Sequence, residues 1–237
     1  MNSSSTRDAR SGVRRPDFGE RLELWSAEGR VVDGLWIGVS NVSKQPDDEI
    51  LARVESALTV IRTHDPRRYR SIRRLLRRIW VRLQVAGNLG SYNQYYQACE
   101  LDLRYVLRED VTPADIASTI VHEATHARLA PLGYAEDMRR RVEAACRNQE
   151  RAFAQRLPQA EGDRIRAKID YWDKSTDDWW GNRVRQRQFV DGIPAALEYV
   201  GIPRWFAPAL IFGRNAVAAT YRVAGVLTSP FRRSRGR

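Results

Sequence analysis

Two of the chain's three histidines fall within five residues, as His122-Glu123-Ala124-Thr125-His126, an H-E-x-x-H pattern. On a helix, residues four apart share a face. Two imidazoles so placed can hold one Zn²⁺, and the glutamate next to the first can reach a water activated by the ion. The chemistry implied is zinc-dependent hydrolysis, most simply of a peptide bond, with His122 and His126 as metal ligands and Glu123 as general base. The competing reading is a pair of structural histidines on a half-apolar helix.

The motif needs a helix, and its surroundings supply one. Thr112 is a good N-cap, Pro113 suits the first turn, and Asp115 completes a capping-box-like start while complementing the helix dipole. Ile116, Ile120, Val121 and Ala124 recur at helical spacing, and Ala130-Pro131-Leu132-Gly133 ends the run. A helix is expected over about residues 113–129.

A catalytic zinc takes three protein ligands, so a third donor is required. The remaining His64 lies far upstream, in a His-Asp-Pro turn. A carboxylate is therefore expected, from a second helix over about residues 134–157 whose apolar face carries Met138, Val142, Ala145, Ala152, Phe153 and Leu157. Its candidates are Glu136, Asp137, Glu143 and Glu150. Glu143, beside Val142, is the expected ligand, with Glu136 or Glu150 as alternatives. The competing reading for each is a solvated carboxylate paired with Arg139, Arg140 or Arg147.

The motif followed by a glutamate on the next helix resembles the gluzincin branch of the H-E-x-x-H zincin metallopeptidases, over about residues 97–157. That group uses two histidines and a downstream glutamate as zinc ligands. The resemblance implies an edge strand before the active helix, with substrate lying along it. Residues 99–107 fit such a strand, because Leu101, Leu103, Tyr105 and Leu107 alternate with more polar residues. The thermolysin-like group has an aspartate four residues after the ligand glutamate, whereas here Arg147 stands there. No oxyanion donor is assigned among Tyr92, Tyr95, Tyr96 and Tyr134.

Around this centre the chain divides into a disordered N-terminus (1–17), a β-hairpin region (18–45), a zincin-like catalytic domain (46–160), a C-terminal helical segment packed on it (161–229) and a basic tail (230–237). The expected fold is α+β: a small mixed sheet and the active helix, with additional helices. In the hairpin region Leu22–Trp25, Val31-Val32 and Leu35–Val39 read as short strands, with turns at Gly29 and Asp33-Gly34. Residues 47–62 read as a helix with Ile50, Val54, Leu58 and Ile61 on one face. Residues 67–83 read as another, with Ile72, Leu75, Leu76, Ile79, Trp80 and Leu83 apolar and Arg67, Arg68, Arg70, Arg73, Arg74, Arg77, Arg78 and Arg82 opposite.

The formal net charge is +11, yet only three of the 40 basic residues are lysines (Lys44, Lys168, Lys174). A nucleic-acid motif is absent, so the arginine face reads first as a solvated surface and second as a contact for an anionic partner or membrane surface. Two cysteines, Cys99 and Cys146, are too few for a secreted disulfide framework. Cys146 lies one turn after Glu143, near the expected metal or simply buried as a small apolar residue. With no apolar leader segment, the cytoplasm is the expected location. Residues 176–190 read as a helix broken at Asp191–Pro194. Residues 205–227 are apolar but carry Arg214 and Arg222, which disfavours a membrane span and leaves a packed helix or a membrane-surface element. The partner expected of the enzyme is a peptide or protein substrate. The reading from a different class is a non-catalytic zincin scaffold that binds a polyanion, a membrane surface or an acidic protein through its basic surface.

Overall fold

The computed structural model describes residues 16–85, 87–132, 138–175 and 182–208. Its elements are α1 (Phe18–Trp25), β1 (Glu28–Val32), β2 (Leu35–Val39), α2 (Asp47–His64), α3 (Pro66–Leu75), β3 (Arg78–Arg82), β4 (Gly90–Asn93), β5 (Ala98–Asp102), α4 (Leu103–Leu107), α5 (Pro113–Leu129), α6 (Arg139–Ala154), α7 (Gln159–Ser175) and α8 (Asn182–Tyr199). The fold is α+β with a small mixed five-stranded sheet in the order β1-β2-β3-β5-β4. β1 and β4 run antiparallel to their neighbours, and β2, β3 and β5 are mutually parallel.

The alternation of side chains across the sheet separates two faces. Leu35, Ile37 and Val39 of β2, Ile79 and Val81 of β3, and Cys99 and Leu101 of β5 all enter the main core. There they meet Ile50, Val54, Leu58 and Ile61 of α2 and Ile116, Ile120 and Val121 of α5. Each such aliphatic side chain contributes about 1.5–3 kcal/mol by leaving water. The opposite face carries a smaller cluster of Trp80, Tyr96 and Ala98, against which Leu24 of α1 packs. Arg82 lies over the Trp80 ring at 4.3 Å and pairs with Glu23, tying α1 to this face.

Several expected elements take another form. Leu22–Trp25 is helical, not a strand, because Asp17 and Glu20 form a capping box that starts α1. Residues 67–83 do not form one helix. α3 ends at Leu75, Leu76 turns to an extended backbone, and β3 follows. β3 lies between β2 and β5, so Ile79, Trp80 and Val81 are all buried and imitate the continuation of an apolar helix face. Of the eight arginines in residues 67–83, Arg68 pairs with Asp65, Arg78 donates to the Tyr96 carbonyl at 3.0 Å, and Arg82 is bound as above. Arg67, Arg70, Arg73, Arg74 and Arg77 are exposed.

The strand expected over residues 99–107 stops at Asp102, whose side chain accepts from the backbone N–H groups of Arg104 and Tyr105 and starts α4. His64 is the last residue of α2 rather than part of a turn. In the C-terminal region Pro194 stands inside α8 instead of breaking the chain there. A proline removes one helix hydrogen bond, and the burial of Ala196 and Leu197 beyond it favours continuing the helix. No helix among the described residues is long and apolar enough to cross a membrane. The N-terminal segment 1–15, the helix start expected at Thr176, and the apolar and basic stretches beyond residue 208 lie outside the described residues.

The hairpin turn and the start of α5 follow the sequence reading. Asp33 and Gly34 have φ of 52° and 83°, the left-handed pair that a two-residue turn between twisted strands requires. Thr112 and Asp115 form the capping box of α5. Asp115 is buried and also accepts from Lys168 (2.7 Å) and Arg164 (2.7 Å) of α7. Burial alone would raise its pKa, but the bonds from Lys168, the Thr112 backbone and Arg164 outweigh it and hold the carboxyl below its ordinary value.

A folded-state pKa below the unfolded one gives stability that is present above about pH 4 and lost as pH falls through the folded value. Asp115→Asn should therefore cost about 1–3 kcal/mol at neutral pH. Urea denaturation of wild type and variant should show that gap narrowing between pH 7 and pH 3; a gap of constant size would contradict the assignment.

Candidate metal centre

α5 crosses the middle of the molecule, packed on α2 and α6 and lying along β4. Its seventeen residues run from Pro113 to Leu129, and one face carries Ser118, His122 and His126 at spacings of four. α6 presents Glu143, Cys146 and Glu150 at spacings of three and four along one stripe. Docking of the two helices brings the stripes together.

The donor atoms converge. His122 Nε2 and His126 Nε2 are 3.2 Å apart. The Glu143 carboxylate places Oε2 3.3 Å from His122 Nε2 and Oε1 3.5 Å from His126 Nε2. In a tetrahedral site with metal–ligand bonds of 2.0–2.1 Å, neighbouring donors stand about 3.3 Å apart. The two imidazole nitrogens are thus spaced as two corners of a zinc-sized tetrahedron, and the Glu143 carboxylate approaches each of them at a similar distance through a different oxygen. Their side chains are 15–18% exposed, so the donor atoms are largely withdrawn from solvent.

Of the carboxylates considered from sequence, Glu143 is the one in contact with both imidazoles. Glu150 occupies a different place. Its Oε1 is 2.5 Å from His122 Nδ1, on the ring edge away from the donor cluster, and its Oε2 accepts from Ser118 Oγ at 2.8 Å. With Nδ1–H donating to Glu150, the neutral ring presents its lone pair at Nε2. Glu150 therefore fixes the orientation of the His122 ring from behind rather than joining the donor cluster, the arrangement carboxylates commonly take behind metal-binding histidines. Ser118 escaped the sequence reading. The signal for both residues was their spacing: Ser118 four before His122, and Glu150 seven after Glu143. Glu136, Asp137 and Tyr134 lie outside the described residues. Arg147 pairs with Asp173 of α7 and so joins two outer helices rather than supporting a histidine.

Charge shapes the cluster. Burial would lower the His122 pKa, but Glu150 and Glu143 outweigh it and raise it well above the ordinary imidazole value. Burial would likewise raise Glu143, but its bonds to His122 and His126 bring it down to about 2. Glu123 is buried at 5% exposure. Burial raises its pKa, His122 and His126 oppose that, and Glu143 and Glu150 reinforce it. Burial pushes the Cys146 thiol up, with Glu143, Glu123 and Glu150 adding to the effect.

Glu123 faces β4. A Cβ added to Gly90 would lie 2.8 Å from Thr119 Cγ2 and 3.3 Å from Glu123 Cγ, so the missing side chain is what lets β4 approach the helix. β4 is the terminal strand of the sheet, whereas β5, taken from sequence as the edge, is covered on both sides by β3 and β4. Tyr92 of β4 is paired with Cys99 and packs towards the main core. Tyr96 belongs to the opposite face of the sheet and stacks edge-on against Trp80.

No family model, curated protein or solved structure matches this chain. Gly90→Ala should push β4 away from Thr119 and Glu123 and destabilise the fold by about 1–3 kcal/mol, the usual cost of overpacking. Thermal unfolding measures this, and an unchanged midpoint would show that β4 does not press on α5.

Proposed function

We propose that this chain is a zinc-dependent metallopeptidase whose ion is held by His122, His126 and Glu143. The observation that carries the reading is the mutual spacing of those three donors, 3.2–3.5 Å, with an orienting carboxylate behind His122 and a further carboxylate, Glu123, buried beside them. The donor set fits: two imidazoles and one carboxylate with one open position are a catalytic zinc set.

Bound there, zinc supplies Lewis acidity, polarising a carbonyl and bringing the pKa of water down to about 7. Glu123 takes a proton from the attacking water and delivers it to the departing amine. Its raised pKa suits both halves of that task, because the group gains and gives up the proton closer to neutrality than an exposed carboxylate does. Glu150 and Ser118 hold His122 in one tautomer and one orientation. β4, at the sheet edge beside Glu123, supports binding of the substrate as an extended peptide added to the sheet.

Two measurements separate metal from chemistry. His122→Ala, His126→Ala and Glu143→Ala should each bind zinc much more weakly than wild type, which carries one ion by elemental analysis, and Glu150→Gln should weaken zinc binding about 10–100-fold. Zinc retained in all four variants would sink the assignment. Glu123→Gln keeps the reach of the side chain but cannot accept the proton. At equal zinc content it should cleave members of a peptide library about 10²–10⁴-fold more slowly than wild type. Equal rates would remove Glu123 as the base, and zinc binding without any cleavage by wild type would point to a binding scaffold.

A further inference from the structure

Glu143 is not the only donor that α6 turns towards the two imidazoles. Cys146, one turn further along, is fully buried, and its Sγ lies with the ring nitrogens of His122 and His126 in one group whose atoms are all within 4.8 Å of one another. The neighbours of the thiol are ionisable groups: Glu143, Glu123 and Glu150 all act on it electrostatically. That is an unusual place for a cysteine kept only as a small apolar residue, which would be expected among aliphatic side chains. Cys99 also feels Glu123 and Glu100, but it is placed differently. It sits on β5 within the main hydrophobic core, paired in the sheet with Tyr92 and Ile79.

We propose that Cys146 is a fourth protein donor to the metal of this centre. The inference rests on the reading of His122, His126 and Glu143 as ligands and extends it to a His₂-Glu-Cys set. With zinc–sulfur bonds of about 2.3 Å, a sulfur corner of the tetrahedron stands about 3.6 Å from a nitrogen corner. The sulfur lies within 4.8 Å of a ring nitrogen of each imidazole, so a side-chain adjustment is what separates it from that spacing. Coordination forms a sulfur–metal bond and releases the S–H proton to solvent, with no change of oxidation state. Imidazole and thiolate together favour zinc and cobalt over magnesium or calcium.

The consequence is regulatory. Three protein donors leave a position for water, whereas four close the tetrahedron. Hydrolysis then requires Cys146 to leave the ion and take up a proton again, so the same two helices that build the site can hold it shut.

The test uses Co²⁺ as a spectroscopic substitute for zinc in the full chain. With one Co²⁺ bound, wild type should display an intense near-ultraviolet thiolate-to-cobalt charge-transfer band in addition to the visible bands of tetrahedral cobalt. Cys99→Ser should keep that band. Cys146→Ser should lose it while retaining one Co²⁺ per chain and its visible bands. One bound Co²⁺ without charge transfer in wild type, or a band that survives Cys146→Ser, would overturn the role of Cys146 and leave the three-ligand centre standing. Failure of wild type to bind Co²⁺ would overturn the centre and the fourth donor together.

Discussion

Three carboxylates, Glu123, Glu143 and Glu150, share one largely buried space with two imidazoles. Gathering like charges away from water is costly unless positive charge or protonation offsets it. Without a metal, the offset comes from protonating groups in the cluster, which is why His122 is raised and Glu143 is lowered while Glu123 is pushed towards its neutral form. A divalent cation between His122, His126 and Glu143 meets the same need with the histidines neutral. The packing of α6 on α5 is therefore more than hydrophobic contact. It gathers three carboxylates and two imidazoles at one point, the arrangement from which the proposed cation site is argued.

The remainder of the fold keeps those two helices in register. α2 and the parallel strands β2, β3 and β5 form the apolar floor under α5. At the start of α5, Asp115 is gripped by Thr112, Arg164 and Lys168, so α7 fixes the position of the helix along its axis. α7 also reaches α6, where Arg147 and Arg151 meet Asp173 and Arg151 meets Asp170 at 3.0 Å. One helix thus clamps both halves of the centre. On the other side Gly90 allows β4 to lie against Thr119 and Glu123. A displacement at any of these contacts would move donors that must agree to within a few tenths of an ångström.

α5 was legible to its bounds because its cap residues and its chemistry occur in one continuous stretch. α2 and the β1–β2 turn were legible for the same local reasons. The errors arose where tertiary context decides. Ile79, Trp80 and Val81 complete an apparent helical face, but insertion between two strands makes every one of them buried, so their period carries no information. Leu103, Tyr105 and Leu107 continue the alternation of β5, yet Asp102 folds back on the next two N–H groups and turns the chain into a helix. Glu143 could be picked out from its place beside Val142, whereas the pairing of Glu150 with His122, 28 residues away in sequence, depends on the register of two helices. The free edge of the sheet could not be read either, because β4 precedes β5 in the chain but lies outside it in space.

The most direct test is X-ray absorption at the zinc edge on the purified protein, with a crystal structure giving the anomalous position of the ion. One zinc should lie between His122 Nε2, His126 Nε2 and the Glu143 carboxylate, with nitrogen and oxygen donors at about 2.0–2.2 Å and, where Cys146 joins them, sulfur at about 2.3 Å. A protein free of zinc after exposure to the ion, or a zinc bound through other residues, would contradict this account of the centre.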